Sequence, residues 1–286
     1  MLVNLKTLIE DAEKNNYAVG MFTTPNITTA EAVISAAEEL NAPVMIGQAQ
    51  LYDDFGPMEK YGPIYADMAR RAKVPVCLHL DHGTSIEYIM KAVRCGYTSV
   101  MADFSELPFE ENAKMVRLCA DICHSIDVSV EGLCGKMPSV EMIRKDQNIC
   151  LKEYFTDPEE LKEFVRITGA DAMTVSFGTV HGMKVTEPVL DMGHLDKLKN
   201  ASSCALVMHG SSGVEINQLK EAISRGLRKI NVYTKIAISP QKAIEEEIKK
   251  QEEPMWFHEI LNLSKRTMKE AAMESIKLFS NGHSFK

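Results

Sequence analysis

Three histidines in this sequence could share one metal ion. His82 follows Asp81 in Leu80-Asp81-His82-Gly83, His181 precedes Gly182, and His209 opens His209-Gly210-Ser211-Ser212-Gly213. Three neutral imidazoles with a fourth position left open are the ligand set of a catalytic zinc. Such an ion polarises a carbonyl or hydroxyl oxygen and stabilises an enolate as it forms. A single histidine beside an apolar run is usually a hydrogen-bonded structural residue. Three of them, each after a different run and beside a polar residue or glycine, make a pattern. No His-Glu-x-x-His occurs, so a zinc peptidase has no support.

The glycines beside two of these histidines point to a second chemistry. Glycine lets backbone N–H groups approach a phosphate closely, and a following helix N-terminus adds a favourable field. Gly182, Gly210 and Ser212 are the candidates, with Asn231 and Thr234 completing the cradle from the next loop. A Gly-Ser-Ser-Gly alone often only turns the chain. Adjacency to two candidate metal ligands gives this one weight.

For these residues to meet, several segment ends must reach one face. Short apolar runs at Ala18–Phe22, Val44–Ile46, Val76–Leu80, Ser99–Ala102, Asp127–Val130, Ala172–Phe177, Ala205–Met208 and Lys229–Val232 read as buried strands. Amphipathic stretches at Thr28–Leu40, Glu110–His124, Pro158–Thr168 and Val214–Arg225 read as helices. Thr28 and Thr29 are candidate caps for the first, and Asp157-Pro158 starts the third. Eight strands alternating with helices predict an α/β fold, a single-domain (β/α)8 TIM barrel over residues 1–286. Such a barrel needs about 250 residues. An open doubly wound sheet is the runner-up, but no Gly-x-Gly-x-x-Gly follows the first strand. In a barrel, Asp81, His82, Asp103, Ser105, Glu131, His181, His209, Asn231 and Thr234 all fall near the C-terminal strand ends, where catalytic residues collect. Residues 132–155 break the rhythm and read as a mobile loop over the site.

Composition narrows the partners. A net charge of −8 disfavours nucleic acid and anionic membrane, both of which reward basic patches. The cysteines are odd in number, with no Cys-x-x-Cys, which argues against a disulfide framework and for a reducing cytoplasm. Cys119 and Cys123 read as buried thiols on a helix. The charged N-terminal stretch lacks the unbroken apolar core expected of a signal peptide, and no apolar run approaches membrane length.

In order along the chain, Tyr17-Ala18-Val19-Gly20 with Phe22, Leu80-Asp81-His82-Gly83, Ser99-Val100-Met101-Ala102-Asp103, Glu111-Asn112, Val130-Glu131 and Thr156-Asp157-Pro158 are followed by Phe177-Gly178-Thr179-Val180-His181-Gly182, His209-Gly210-Ser211-Ser212-Gly213 and Lys229-Ile230-Asn231-Val232. Together they resemble the class II, metal-dependent ketose-bisphosphate aldolases, nearly end to end. The resemblance implies a zinc enzyme that splits or joins a ketose phosphate, with dihydroxyacetone phosphate or a close relative as one partner. It puts zinc on His82, His181 and His209, and the proton donor to the aldehyde oxygen on Asp81. It puts phosphate binding on Gly182, Gly210, Ser212, Asn231 and Thr234, with a monovalent cation near the phosphate site. Counting from Glu131 places the catalytic base at Glu141, in the loop. Lys184 sits one place earlier than the lysine many relatives carry. A homodimer or homotetramer is expected.

The departures cluster around the substrate. Thr23 replaces an expected asparagine, Ala49 an expected serine, and Leu133 the second glutamate of a pair begun by Glu131. Losing that glutamate removes a ligand for an alternative metal position and leaves Asp103 to orient neighbours. His258 stands where a basic residue for a distal phosphate is expected, with Arg266 as a substitute charge. The expectation is an aldolase with an altered aldehyde pocket. A zinc enzyme that enolises and epimerises, and a non-catalytic phosphate binder, are the alternatives. The apolar pattern of Trp256–Phe279 fits packing on a partner or back on its own barrel.

Overall fold

The computed structural model describes residues 1–137, 150–180 and 188–285. Eight strands form its centre: β2 (Val19–Thr23), β3 (Val44–Ala49), β4 (Val76–Gly83), β5 (Ser99–Ala102), β6 (Ser129–Leu133), β7 (Ala172–Thr174), β8 (Ala205–Met208) and β9 (Leu227–Val232). Each pairs in parallel with its sequence neighbour, and β2 pairs with β9, so the sheet closes on itself as a (β/α)8 barrel. That closure rules out the open sheet.

Two strand ends differ from the sequence reading in ways that matter. β4 runs three residues past Leu80, so Asp81 and His82 belong to the strand instead of following it. β6 starts at Ser129, because Asp127 turns the chain at φ 60°, and it continues through Gly132 and Leu133. The excursion read over residues 132–155 therefore begins as sheet and ends in a 3-10 turn at Leu151–Tyr154. Its middle, including Glu141, lies outside the described residues.

The helices lie outside the ring: α2 (Ile27–Glu39), α3 (Met58–Arg71), α4 (Ile86–Arg94), α5 (Phe109–His124), α6 (Pro158–Thr168), α7 (Met192–Ala201), α8 (Ile216–Ser224), α9 (Thr234–Lys250) and α10 (Phe257–Phe279). Local chemistry sets their starts. The Asp157 carboxylate accepts from the N–H groups of Glu159 and Glu160 at 2.8 and 3.0 Å, as expected of Asp-Pro. The cap of α2 is Asn26, not Thr28 or Thr29: its side chain accepts from Thr29 N–H at 2.9 Å. The apolar stripe of α10 packs home, with Met268, Ala271, Ala272, Ile276 and Phe279 buried against its own chain. Cys119 and Cys123 are buried thiols, as read. No helix among the described residues is long and apolar enough to cross a membrane.

The first residues were read only for what they exclude, yet they build part of the fold. β1 (Leu2–Val3) pairs with Val76 and Cys77, and α1 (Leu5–Asn15) follows. Leu5, Leu8, Ile9 and Ala12 pack on Val19, Met21, Met45, Cys77, Ala172, Ala205 and Val207, the first inward residues of the strands. Helix α1 thus stops the barrel at its N-terminal end and leaves the other end for chemistry.

Candidate metal and phosphate site

Side chains alternate along a strand, so the residues inward of the apolar plug follow by counting. Above Cys77 comes His79 and then Asp81; above Val207 comes His209; above Ala172 comes Thr174. The plug gives way to a charged layer. Lys229 Nζ lies 2.8 Å from Glu131 Oε2 and donates to Asn231 Oδ1 at 2.7 Å. Thr174 donates its hydroxyl proton to Glu131 Oε1 at 2.6 Å. Lys229 and Glu131 are both fully buried. An isolated charge there would be costly, and the pairing supplies the compensation. Burial works to neutralise Glu131, but Lys229 and the nearby histidines hold its carboxyl well below the usual range. His79, bonded to Ser99 Oγ at 2.8 Å, is pushed down to about 3 by burial and by Lys229, and is neutral.

A break in β4 places the next pair. In a regular strand Asp81 and His82 would face opposite sides. Between Leu80 and Gly83 the register with β5 shifts, and His82 adopts φ 51°. The bulge turns His82 into the same mouth as Asp81. Left-handed backbone at a non-glycine residue is strained, and such strain collects at functional sites.

Asp81, His82 and His209 each present a ligand atom, and these atoms lie within 4.8 Å of one another. Each imidazole has a carboxylate behind it. His82 Nδ1 is 2.6 Å from Asp103 Oδ2, and His209 Nε2 is 3.2 Å from Glu131 Oε1. Ser105 donates to the other oxygen of Asp103 at 2.7 Å. Carboxylates of this kind fix ring orientation at metal centres. Burial opposes a charge on His82, but Asp81 and Asp103 outweigh it and lift its pKa to about 9. Burial likewise opposes ionisation of Asp103, yet the His82 and Ser105 bonds hold it at about 2. Three carboxylates, Asp81, Asp103 and Glu131, here face Lys229 and a protonated His82, so a divalent cation in place of that proton improves the charge balance. The donor set fits a divalent metal. His181, expected as the third imidazole, lies outside the described residues, as do Gly182 and Lys184.

The remaining expected residues surround a cavity of ≈ 300 Å³ lined by Asp81, His82 and His209. Gly210, Ser212, Asn231 and Thr234 are all on its wall. Gly210 has φ 68°, and a Cβ there would meet the Val180 carbonyl oxygen at 2.5 Å, so this turn requires glycine. Thr234 is the first residue of α9, whose opening N–H groups receive no side-chain cap from Tyr233. Those unsatisfied donors suit an anion. Asn231 Nδ2 lies 3.2 Å from Asp81 Oδ1 and 3.0 Å from His209 Nε2, which ties the cradle to the metal cluster.

Several wall residues were missed in the sequence. Ser211 donates its hydroxyl proton to the Asn231 carbonyl at 2.5 Å. Leu51, Tyr52 and Tyr233 also line the cavity. Lys229 could have been found, because it shares a strand face with Asn231. Nothing in local spacing singles out Tyr52. Of the flagged departures, Thr23 and Ala49 are on the wall, while His258 and Arg266 are not among its residues. Arg266 instead lines a surface groove between α2, α3 and α10, so it is no substitute charge at this cavity.

The chain is a closed parallel barrel with a histidine–carboxylate cluster and a glycine-rich turn at its C-terminal mouth. Residues 3–283 match the family described as fructose-bisphosphate aldolase class-II. The chain belongs to that family. It is 33% identical over 281 residues to the uncharacterized protein YdjI of Escherichia coli K12, covering 98% of each. A crystal structure described as the YdjI aldolase superposes with a TM-score of 0.87, covering 99% of this chain and 100% of that one. The fold is shared with a putative fructose-1,6-bisphosphate aldolase from Coccidioides immitis, at TM-score 0.83 and 23% identity over 98% of both chains. It is shared too with the Campylobacter jejuni fructose-bisphosphate aldolase, at 0.79 and 19%, covering 97% of this chain and 95% of that one.

Proposed function

We propose that this protein is a zinc-dependent aldolase that joins dihydroxyacetone phosphate, or a close relative, to an aldehyde and cleaves the product. The observation that carries this reading is the cluster of Asp81, His82 and His209 ligand atoms within 4.8 Å of one another, beside the Gly210–Ser212 turn. His82 and His209, with His181 as the third imidazole, would hold the zinc. When bound, zinc withdraws charge from the donor's oxygens and makes the adjacent C–H acidic.

The chain's own residues supply the rest. Gly210, Ser212, Thr234 and the start of α9 would take the donor phosphate, joined by Gly182 and Lys184. The side-chain oxygen of Asn231 accepts from Lys229, and its amide nitrogen lies between Asp81 and His209, where it would donate to a donor oxygen in their place. Glu141 is the candidate to remove the C–H proton. In the cleavage direction Asp81 would accept the proton of the hydroxyl beside the breaking bond, and in condensation it would return it. Burial opposes its ionisation, but His82, His209 and Lys229 hold its pKa below the ordinary value, which favours the proton-accepting form.

The test is condensation of dihydroxyacetone phosphate with a panel of aldehydes, with product analysis and metal content, in wild type, His82→Ala and Asp81→Ala. Stoichiometric zinc and products that vanish in both variants are expected. Equal behaviour of wild type and His82→Ala on every aldehyde would overturn the site. An epimerised product without C–C bond formation would move the protein to the enolising alternative.

A further inference from the structure

We infer that Tyr52 and Tyr233 form the acceptor wall of this site and select an uncharged, hydroxyl-bearing aldehyde. The inference rests on the aldolase reading and names the class of its second substrate. Tyr52 ends the 3-10 turn Gln50–Tyr52 just after β3, and Tyr233 follows β9. Strands β3 and β9 flank β2, whose last residue is Thr23. Three adjacent strand ends therefore gather Tyr233, Thr23 and Tyr52 on one arc of the mouth, all on the cavity wall.

The two phenol rings meet with centroids 5.1 Å apart and planes tilted by 44°. Burial, then the neighbouring phenol and the field of Asp81, keep the Tyr52 hydroxyl protonated. Asp81, which would exchange a proton with the acceptor's oxygen, lines the same cavity as this wall. Beyond Tyr52 the rings continue outward to Phe55, at 6.4 Å, which is 77% exposed. Ala49 and Leu51 fill the same side of the cavity.

This arc offers aromatic faces to C–H bonds and neutral hydroxyls to hydroxyls. The outward run of rings suits an acceptor of several carbons. With its carbonyl end at Asp81, the acceptor would carry a terminal phosphate ester outward along the phenols, where the described cavity wall has no lysine or arginine. Desolvation against the rings without a counter-charge disfavours that placement. The adjoining arc is built oppositely, with Gly210, Ser212 and the first turn of α9 presenting donors to an anion. The cavity thus offers donors to a phosphate along one arc and rings to a neutral chain along the next, with Tyr233 at the boundary as the residue before Thr234.

The experiment compares kcat/KM of the zinc-loaded protein for glycolaldehyde, erythrose and erythrose 4-phosphate, each with dihydroxyacetone phosphate. Wild type is expected to prefer erythrose over its phosphate by at least about tenfold, the ratio that about 1.4 kcal/mol sets. In Tyr52→Phe/Tyr233→Phe the erythrose-to-glycolaldehyde ratio is expected to fall about tenfold, since glycolaldehyde is too short to use the wall. Phenylalanine keeps the rings, and the single variants give the same ratio should the double variant fold poorly. A preference for erythrose 4-phosphate, or an unmoved ratio in the variants, overturns this inference alone. Failure of wild type to exchange the donor's C–H proton with deuterated solvent overturns the aldolase reading and this inference with it.

Discussion

Val207 and His209 are neighbours on one inward strand face, as are Cys77 and His79, yet they belong to different interiors. Toward the strand starts, α1 seals a dry apolar plug around Val19, Met21, Met45 and Val207. Further along the inward face, the barrel carries His79, Asp81, Glu131, Lys229, His209 and Asn231, all buried. The upper layer gathers charge that gains nothing by being buried, and it persists because each group has a partner. The lower layer contributes burial without chemistry. The barrel is thus divided along its axis, with stability at the strand starts and the candidate site at the strand ends, as barrels of this kind generally are.

Substitutions in the two layers should therefore separate activity from stability. The largest effect is expected for His209→Ala, which removes a candidate zinc ligand. Aldol turnover should fall by at least about 10³-fold, or roughly 4 kcal/mol in the barrier, read by steady-state kinetics with zinc in excess. Turnover within tenfold of wild type would break the assignment of chemistry to the upper layer. Next is Lys229→Met, which leaves Glu131 buried without its counter-charge. Removing one partner of a buried pair costs about 3–5 kcal/mol, measured by urea unfolding. Adding Glu131→Gln should recover most of that loss, and a double variant no better than the single would show that pairing is not what stabilises the layer. In the plug, Leu8→Ala should cost about 2–5 kcal/mol through the cavity it leaves, with kcat within about twofold of wild type. A large fall in kcat would mean that the plug also governs the site.

The division between layers also explains what was legible in the sequence. Alternation of strands and helices is a local, periodic signal, and it yielded the barrel and all eight of its strands. The strand-end positions of Asp81, His82, His209, Gly210, Ser212, Asn231 and Thr234 followed from the same counting. The bulge at His82 did not, because a positive φ in a non-glycine residue leaves no mark in composition. The plug was missed because Met1–Asn16 was read only for export signals, although Leu5, Leu8, Ile9 and Ala12 have helical spacing. Tyr52 and Tyr233 meet only through ring closure, which brings β9 to the side of β2 opposite β3. Arg266 went astray for the converse reason: charge is legible in a sequence, but which side of α10 faces the mouth is not.

The smallest effect expected is also the most specific to the site. Asp103 stands behind His82 at 2.6 Å and, with Asp81, raises its pKa from the ordinary 6.5 to about 9. Below about pH 9 the metal-free protein holds a proton on His82 that zinc must displace. Apparent zinc affinity should therefore climb with pH and level off near 9. The sign for stability is opposite. A raised histidine pKa stabilises the metal-free fold fully below about pH 6.5, and that contribution is lost as pH rises through 9. In Asp103→Asn one of the two carboxylates is gone, so the pKa of His82 should fall and the affinity curve should level off at lower pH. The plateau affinity should itself weaken by about 10–100-fold, because the ring loses the partner that orients it. Chelator competition from pH 6 to 9 measures both quantities in one titration. A plateau that weakens without moving along the pH axis would leave Asp103 as an orienting group only. An unchanged curve would show that the 2.6 Å contact does not govern the ligand at all.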